Sequence, residues 1–265
     1  MRQERVNGGV AGSGEPWLVE WPTRVAPMAD LVCFAGAGAG ASVFRPWVGR
    51  VPAFTAVVAC QLPGRENRIG EPPARSLAYA ADEVAAAYQA MRPAGRPLVL
   101  FGHSMGGALA FEVARRLAEA GRVPSALLLS ASAPPAGVHE DAEIGGDALR
   151  DLLIGYDPEN RRITRNEELF ATLAPILGSD IAMLRRHDIA PGTARLDVSV
   201  HLLSGEADGI VRESAVARWA GYFDGPVTHH VIAGGHFFPF RESQDHVLEL
   251  MTTILREMVA RRTRK

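Results

Sequence analysis

Residues 98–117, L-V-L-F-G-H-S-M-G-G-A-L-A-F-E-V-A-R-R-L, constrain this chain more tightly than any other stretch. The apolar run Leu98–Phe101 reads as a buried strand, and Leu109, Val113 and Leu117 recur at helical spacing. Between them lies G-x-S-x-G, as Gly102-His103-Ser104-Met105-Gly106. Strand, sharp turn and helix in that order are the setting of a nucleophile elbow, which lifts a serine hydroxyl clear of the backbone. Glycines flank Ser104 because a Cβ on either side would crowd so tight a turn. Ser104 is therefore the expected nucleophile, and the remaining chain has to supply what it needs.

Strand patterns recur at Ala29–Ala35, Phe54–Cys60, Ser125–Ser132, Val198–Leu203 and Val227–Ile232. Alternation of Trp17, Val19 and Trp21 suggests a short edge strand. Helical patterns lie between them, at Ser42–Val51, Leu77–Met91, Val211–Tyr222 and Glu242–Arg261. Strands alternating with helices of this length predict an α/β fold, a mostly parallel sheet with helices on both faces. Residues 136–195 break the alternation, with helix-like pieces at Asp147–Ile154, Glu167–Leu177 and Ile181–His187. The expected layout over 1–265 is one domain: a core of about 15–135 and 196–265, an inserted helical lid at about 136–195, and a loose Gly-rich tail at 1–14.

Composition narrows the partners. A formal net charge of −2 argues against a nucleic-acid surface. The first residues are polar and lack the apolar centre of a signal peptide, and no apolar run reaches membrane-spanning length. Cys33 and Cys60 sit in apolar strand patterns and read as buried reduced thiols. A cytoplasmic protein with no membrane partner is expected, and a monomer is the default.

A serine hydroxyl needs a general base within hydrogen-bond reach. In this fold class the partners follow in the order serine, acid, histidine. Of eight histidines, His103 sits inside the elbow, His201, His229 and His230 in strands, His139 and His187 in the insertion, and His246 on the last helix. His236 differs, because Ala233-Gly234-Gly235-His236-Phe237-Phe238 places it in a loop directly after the last strand. That loop opens at the sheet edge where Ser104 emerges, so His236 is the expected base. The acid should follow the preceding strand, in Ser204-Gly205-Glu206-Ala207-Asp208-Gly209. Asp208 has the better reach and Glu206 is its competitor. An oxyanion hole needs two backbone N–H donors. One should be that of Met105, the other a residue of the loop Gly36–Gly40 after the early strand. That loop lacks G-x-G-x-x-G spacing and a following P-loop lysine, so no nucleotide cofactor is expected there.

Five segments together, A-G-A-G-A-G-A-S-V-F-R-P-W (35–47), L-P-G-R-E-N-R (62–68), G-H-S-M-G-G (102–107), S-G-E-A-D (204–208) and G-G-H-F-F (234–238), resemble the type II thioesterases. These stand-alone enzymes accompany polyketide synthases and nonribosomal peptide synthetases, and are similar to the mammalian fatty-acid chain-terminating thioesterase. L-P-G-R-E is the most discriminating segment. The resemblance implies an α/β-hydrolase fold with a helical lid, and hydrolysis of acyl groups from the phosphopantetheine thiol of acyl or peptidyl carrier proteins in an editing role. No cofactor or metal of the protein's own is implied. By motif, Ser104 is the nucleophile, His236 the base, Asp208 the acid, and the N–H groups of Met105 and Ala37 the oxyanion donors. The family's early loop commonly reads P-H-A-G-G, whereas Ala35-Gly36-Ala37-Gly38-Ala39 stands here.

Apolar residues of the insertion (Ile154, Leu169, Phe170, Leu173, Ile176, Leu177) are candidates to line an acyl channel. Arg65, Arg68, Arg185 and Arg186 are candidates to flank an entrance and steer an acidic carrier protein. The competing readings are a carboxylesterase or lipase, an acyltransferase with the same three residues, and a catalytically silent carrier-binding module.

Overall fold

In a computed structural model of the protein, residues 17–92, 95–135, 146–156, 158–189 and 195–263 are described. The expected tail at 1–14 and the ends of the insertion, 136–145 and 190–194, lie outside them. The apolar runs form seven strands among these residues: β1 (Leu18–Glu20), β2 (Ala29–Phe34), β3 (Thr55–Cys60), β4 (Leu98–His103), β5 (Ala126–Ser130), β6 (Ser199–Gly205) and β7 (Val227–Ile232). They make one sheet in the order β1-β3-β2-β4-β5-β6-β7. Only β1 runs antiparallel, against β3, and every other pairing is parallel.

β2, β3, β4 and β5 are buried along their whole length, which is why they read as continuous apolar runs rather than alternating ones. Alternate side chains feed two cores. Val32, Phe34, Leu100 and Leu129 pack beneath α1 (Leu77–Met91) and α2 (Met105–Glu119). Leu31, Cys33, Phe101 and Leu128 face the other way, against Phe44, Trp47 and the C-terminal helix (Gln244–Thr263). Each such fully buried side chain contributes roughly 1.5–3 kcal/mol of transfer free energy. Cys33 and Cys60 are buried free thiols in these two separate cores.

Between β5 and β6 the described chain is helical: α3 (Gly146–Tyr156), α4 (Arg161–Thr164) and α5 (Glu167–Arg185). The two pieces expected at 167–177 and 181–187 are one helix containing Pro175. Proline lacks the N–H for one helical bond, but Phe170, Leu177 and Ile181 stay on one buried stripe across it, with Leu149 of α3. Asn166 caps the helix by accepting from Leu169 N–H at 3.0 Å.

Two helical expectations shorten. Instead of Ser42–Val51 there is a 3-10 helix, Ala41–Trp47, with Pro46 inside it and Gly49 at φ +81° just after. A proline so near the end and a left-handed glycine beyond it leave no room for further α-turns. Instead of Val211–Tyr222 there are α6 (Glu213–Ala217) and a 3-10 turn, Arg218–Tyr222. The tighter turn carries Trp219 into the core, where its indole N–H donates to Ser132 O at 3.1 Å. The C-terminal helix is therefore α7. Among the described residues no helix is long and apolar enough to cross a membrane.

Neighbouring strands β6 and β7 bring two histidines together. His201 Nδ1 and His230 Nε2 lie 3.0 Å apart with their rings stacked. Burial, then repulsion from His230, pushes His201 down from 6.5 to about 4. Burial, then His229 and His246, also lowers His230. As pH falls below about 6.5, the unfolded chain takes up a proton that folded His201 refuses, so stability declines down to about pH 4. Scanning calorimetry between pH 7 and 4.5 should show this fall in Tm, and His201→Gln should reduce it by about 2–4 °C. An unchanged pH slope in the variant would contradict the linkage.

Candidate active site

Ser104 is the single residue between β4 and α2, at the centre of the sheet. Its backbone takes φ 55°, ψ −123°, a conformation that costs a non-glycine residue about 1–3 kcal/mol. Flanking hydrogen bonds hold it there: Ser104 N–H to Ser130 O at 2.8 Å, and Gly107 N–H to Ser104 O at 2.9 Å. The glycines are demanded by close approach. A Cβ on Gly102 would strike the backbone of Gly106, and one on Gly106 would strike the carbonyl of Phe34 on β2.

All parallel strands deliver their following loops to the same edge of the sheet. There the loop after β7 carries His236 and the loop after β6 carries Asp208. His236 Nε2 lies 3.1 Å from Ser104 Oγ, and His236 Nδ1 lies 2.9 Å from Asp208 Oδ2. Both partners of Ser104 are buried. The other Asp208 oxygen accepts from the N–H groups of Ile210, at 2.8 Å, and Val211, at 3.0 Å. Burial alone would raise the Asp208 carboxyl, but its hydrogen bond to His236, the charge of that ring and the two backbone donors outweigh this and lower it. Glu206, the competing acid, is exposed and its side chain faces solvent.

The loop after β2 crosses directly above the serine, since a Cβ on Gly36 would sit 3.3 Å from Ser104 Cβ. Met105 opens α2, so its N–H is one of the helix's unpaired N-terminal donors. Neither it nor the Ala37 N–H donates to an acceptor among the described residues. A tetrahedral oxyanion formed on Ser104 would lie between the loop after β2 and the N-terminus of α2.

Two side chains at the site carried no signal of this placement in the sequence. Tyr156, at the end of α3, stacks on His236 with ring centroids 5.2 Å apart and planes at 25°. Burial raises its phenol, which stays neutral. It is brought there from a distant segment, and no local pattern marks it. His103 packs as expected of an elbow neighbour, but lies 5.0 Å from the His236 ring. Burial first, and His236 second, hold it well below the usual histidine range. A neutral His103 leaves the Asp208 carboxylate as the charged group beside the His236 ring.

Five of the six apolar insertion residues are buried or half-buried, whereas Leu169 is exposed. Phe170 and Leu177 belong to the insertion's own cluster, which abuts Ala37. The expectation for Arg65 and Arg68 is corrected. Both are buried, Arg65 in an ion pair with Asp180 and Arg68 against Glu71 and the Trp17 ring, so neither flanks an entrance. A strand-following loop rich in arginine looks cationic in sequence, but these guanidinium groups are consumed internally. Arg185 and Arg186 are exposed.

The parallel sheet with helices on both faces, and a strained serine between its central strand and the next helix, define an α/β-hydrolase. The thioesterase domain pattern matches residues 29–255, and the chain belongs to that family. A probable cadicidin biosynthesis thioesterase of Streptomyces griseus is 33% identical over 84% of this chain, which spans about three fifths, 61%, of that relative's length. RedJ, a thioesterase of the prodiginine pathway in Streptomyces coelicolor, is 31% identical with a TM-score of 0.80, covering 95% of this chain and 96% of its own. BorB, a type II thioesterase from the borrelidin biosynthetic cluster, is 30% identical with a TM-score of 0.79, covering 91% and 98%.

Tyr156 offers a test of how the insertion bears on the site. Ring stacking on His236 contributes about 0.5–1.5 kcal/mol, so Tyr156→Ala should lower kcat/KM for a thioester by about 2- to 10-fold, while Tyr156→Phe stays near wild type. A phenylalanine variant as impaired as the alanine one would show that the hydroxyl, rather than the ring, matters.

Proposed function

We propose that this chain is a type II thioesterase that hydrolyses acyl groups from the phosphopantetheine thiol of acyl or peptidyl carrier proteins, clearing stalled or aberrant chains. The observation that carries the reading is the unbroken hydrogen-bonded line from Asp208 through His236 to Ser104 in a chain of the thioesterase family. The similarity to thioesterases of the prodiginine, borrelidin and cadicidin biosynthetic systems supports the carrier-bound substrate.

Ser104 Oγ attacks the thioester carbonyl as His236 Nε2 takes its proton. Asp208 accepts the Nδ1–H, holds that tautomer and stabilises the imidazolium. The carbonyl oxygen, now negative, is received by the N–H groups of Met105 and Ala37, each worth about 10²–10³-fold in rate. The carbon–sulfur bond then breaks, and the pantetheine sulfur departs with the proton from His236. Water enters, His236 removes its proton, and the acyl-serine is hydrolysed to a free acid and restored Ser104. α3 to α5 serve as the lid, and Tyr156 keeps bulk water from one face of His236.

The decisive experiment loads a carrier protein with a series of acyl groups and follows release of each free acid by mass spectrometry. Ser104→Ala should abolish release while leaving thermal unfolding unchanged. Asp208→Asn should lower kcat by about 10⁴-fold, and Glu206→Gln should leave it within twofold. Faster turnover of oxygen esters than of carrier thioesters, or persistent release by Ser104→Ala, would overturn the assignment.

A further inference from the structure

The segment L-P-G-R-E, which proved not to flank an entrance, makes a different connection. Arg65 and Asp180 of α5 form a two-pronged ion pair, with Nη1 to Oδ2 at 2.6 Å and Nη2 to Oδ1 at 2.7 Å. Their side chains are 4% and 2% exposed, so water does not share the contact. Both also grip the loop above Ser104. The Gly38 N–H donates to Asp180 Oδ2 at 2.8 Å, and Arg65 Nη1 donates to Ala39 O at 3.2 Å.

These contacts determine where the Ala37 N–H points. A peptide unit is a rigid plane, so Ala37 has only two soft dihedrals, one towards each neighbouring plane. The plane before it is held through its carbonyl, Gly36 O, which accepts from Ala39 N–H at 3.1 Å. In a trans unit the Ala37 N–H points the opposite way. The plane after it is held through its N–H, that of Gly38, by Asp180. Gly38 itself has φ +79°, and Leu177, one turn before Asp180 on the same helix, lies against it. The direction of the Ala37 donor thus depends on a carboxylate supplied by the insertion rather than by the sheet.

We propose that Asp180, itself oriented by Arg65, is a positioning residue for the oxyanion loop, so that the oxyanion hole is complete only when α5 is seated against it. This rests on the reading of the Ala37 N–H as an oxyanion donor. Asp180 touches neither substrate nor reacting atoms; it acts through Gly38. The carboxylate is needed rather than any polar group, because its two oxygens serve two guanidinium nitrogens and a backbone N–H at once. An amide at 180 has one acceptor oxygen and would turn its NH₂ towards either Arg65 or Gly38.

The test measures kcat and KM on an acyl-pantetheine thioester, the rate of Ser104 labelling by an alkyl fluorophosphonate, and Tm, for Asp180→Asn, Asp180→Ala and Arg65→Lys. A displaced donor weakens the transition state and not the ground-state complex. Asp180→Asn should therefore lower kcat about 10- to 100-fold, slow labelling in parallel, and keep KM within about twofold. Arg65→Lys retains one cationic contact and should show a smaller loss of the same kind. It also supplies the answer should the Asp180 variants not fold. Folded variants with wild-type kcat and labelling rates would overturn the proposal, as would a raised KM at unchanged kcat. A lowered Tm with normal kcat would assign the pair a purely structural role and overturn it too. Failure of the thioesterase reading itself would appear separately, as turnover surviving Ser104→Ala.

Discussion

The strained backbone of Ser104 is the constraint on which the rest depends. A left-handed serine with no loop residues on either side exists only because β4 and α2 are both anchored by packing. Gly102 and Gly106 let the turn close against itself and against β2, and Ser130 on β5 ties its N–H. The strain is thus held by three adjacent parallel strands rather than by the turn. Because it is held, the hydroxyl stands at a fixed point, and loops from β2, β6 and β7 can converge on it.

Electrostatics divides the site into charged and neutral parts. Asp208 is kept ionised by His236 and by two backbone donors despite burial, whereas His103 and Tyr156, both against the His236 ring, are kept neutral by burial. A second charged histidine beside His236 would repel any proton placed on its ring. The helical insertion contributes to this arrangement, setting Tyr156 on the His236 ring and Asp180 under the loop above Ser104. Its helix α5 is also tied at its far end, where His187 meets the buried Glu112 of α2 at 3.1 Å. Helix α2 and the insertion are therefore joined directly at this contact.

The order of strands and helices was legible because the parallel strands are buried on both faces, and such strands leave continuous apolar runs. Helix extents were less legible where a 3-10 turn replaced an α-turn: Pro46 and Gly49 mark one such place locally, but at Trp219 the cause is a core contact with Ser132. The continuity of α5 across Pro175 came from a stripe of side chains packing on α3, which a local proline rule does not see. Arg65 shows the same limit. A charged side chain in a loop reads as solvated unless its partner is known, and Asp180 lies far away in sequence.

What the sequence determined by itself was local: a serine on a strand–turn–helix junction, a histidine after the last strand, carboxylates after the strand before it, and a glycine-rich loop after an early strand. Each is set by short-range backbone sterics and periodicity, which act within a few residues. Tertiary structure decided everything that depends on distance. It selected Asp208 over Glu206 to face His236, buried Arg65 against Asp180, and laid Tyr156 on the His236 ring. These choices join segments 28 to 115 residues apart, which the loops following the parallel strands and the helical insertion between β5 and β6 bring together at one edge of the sheet.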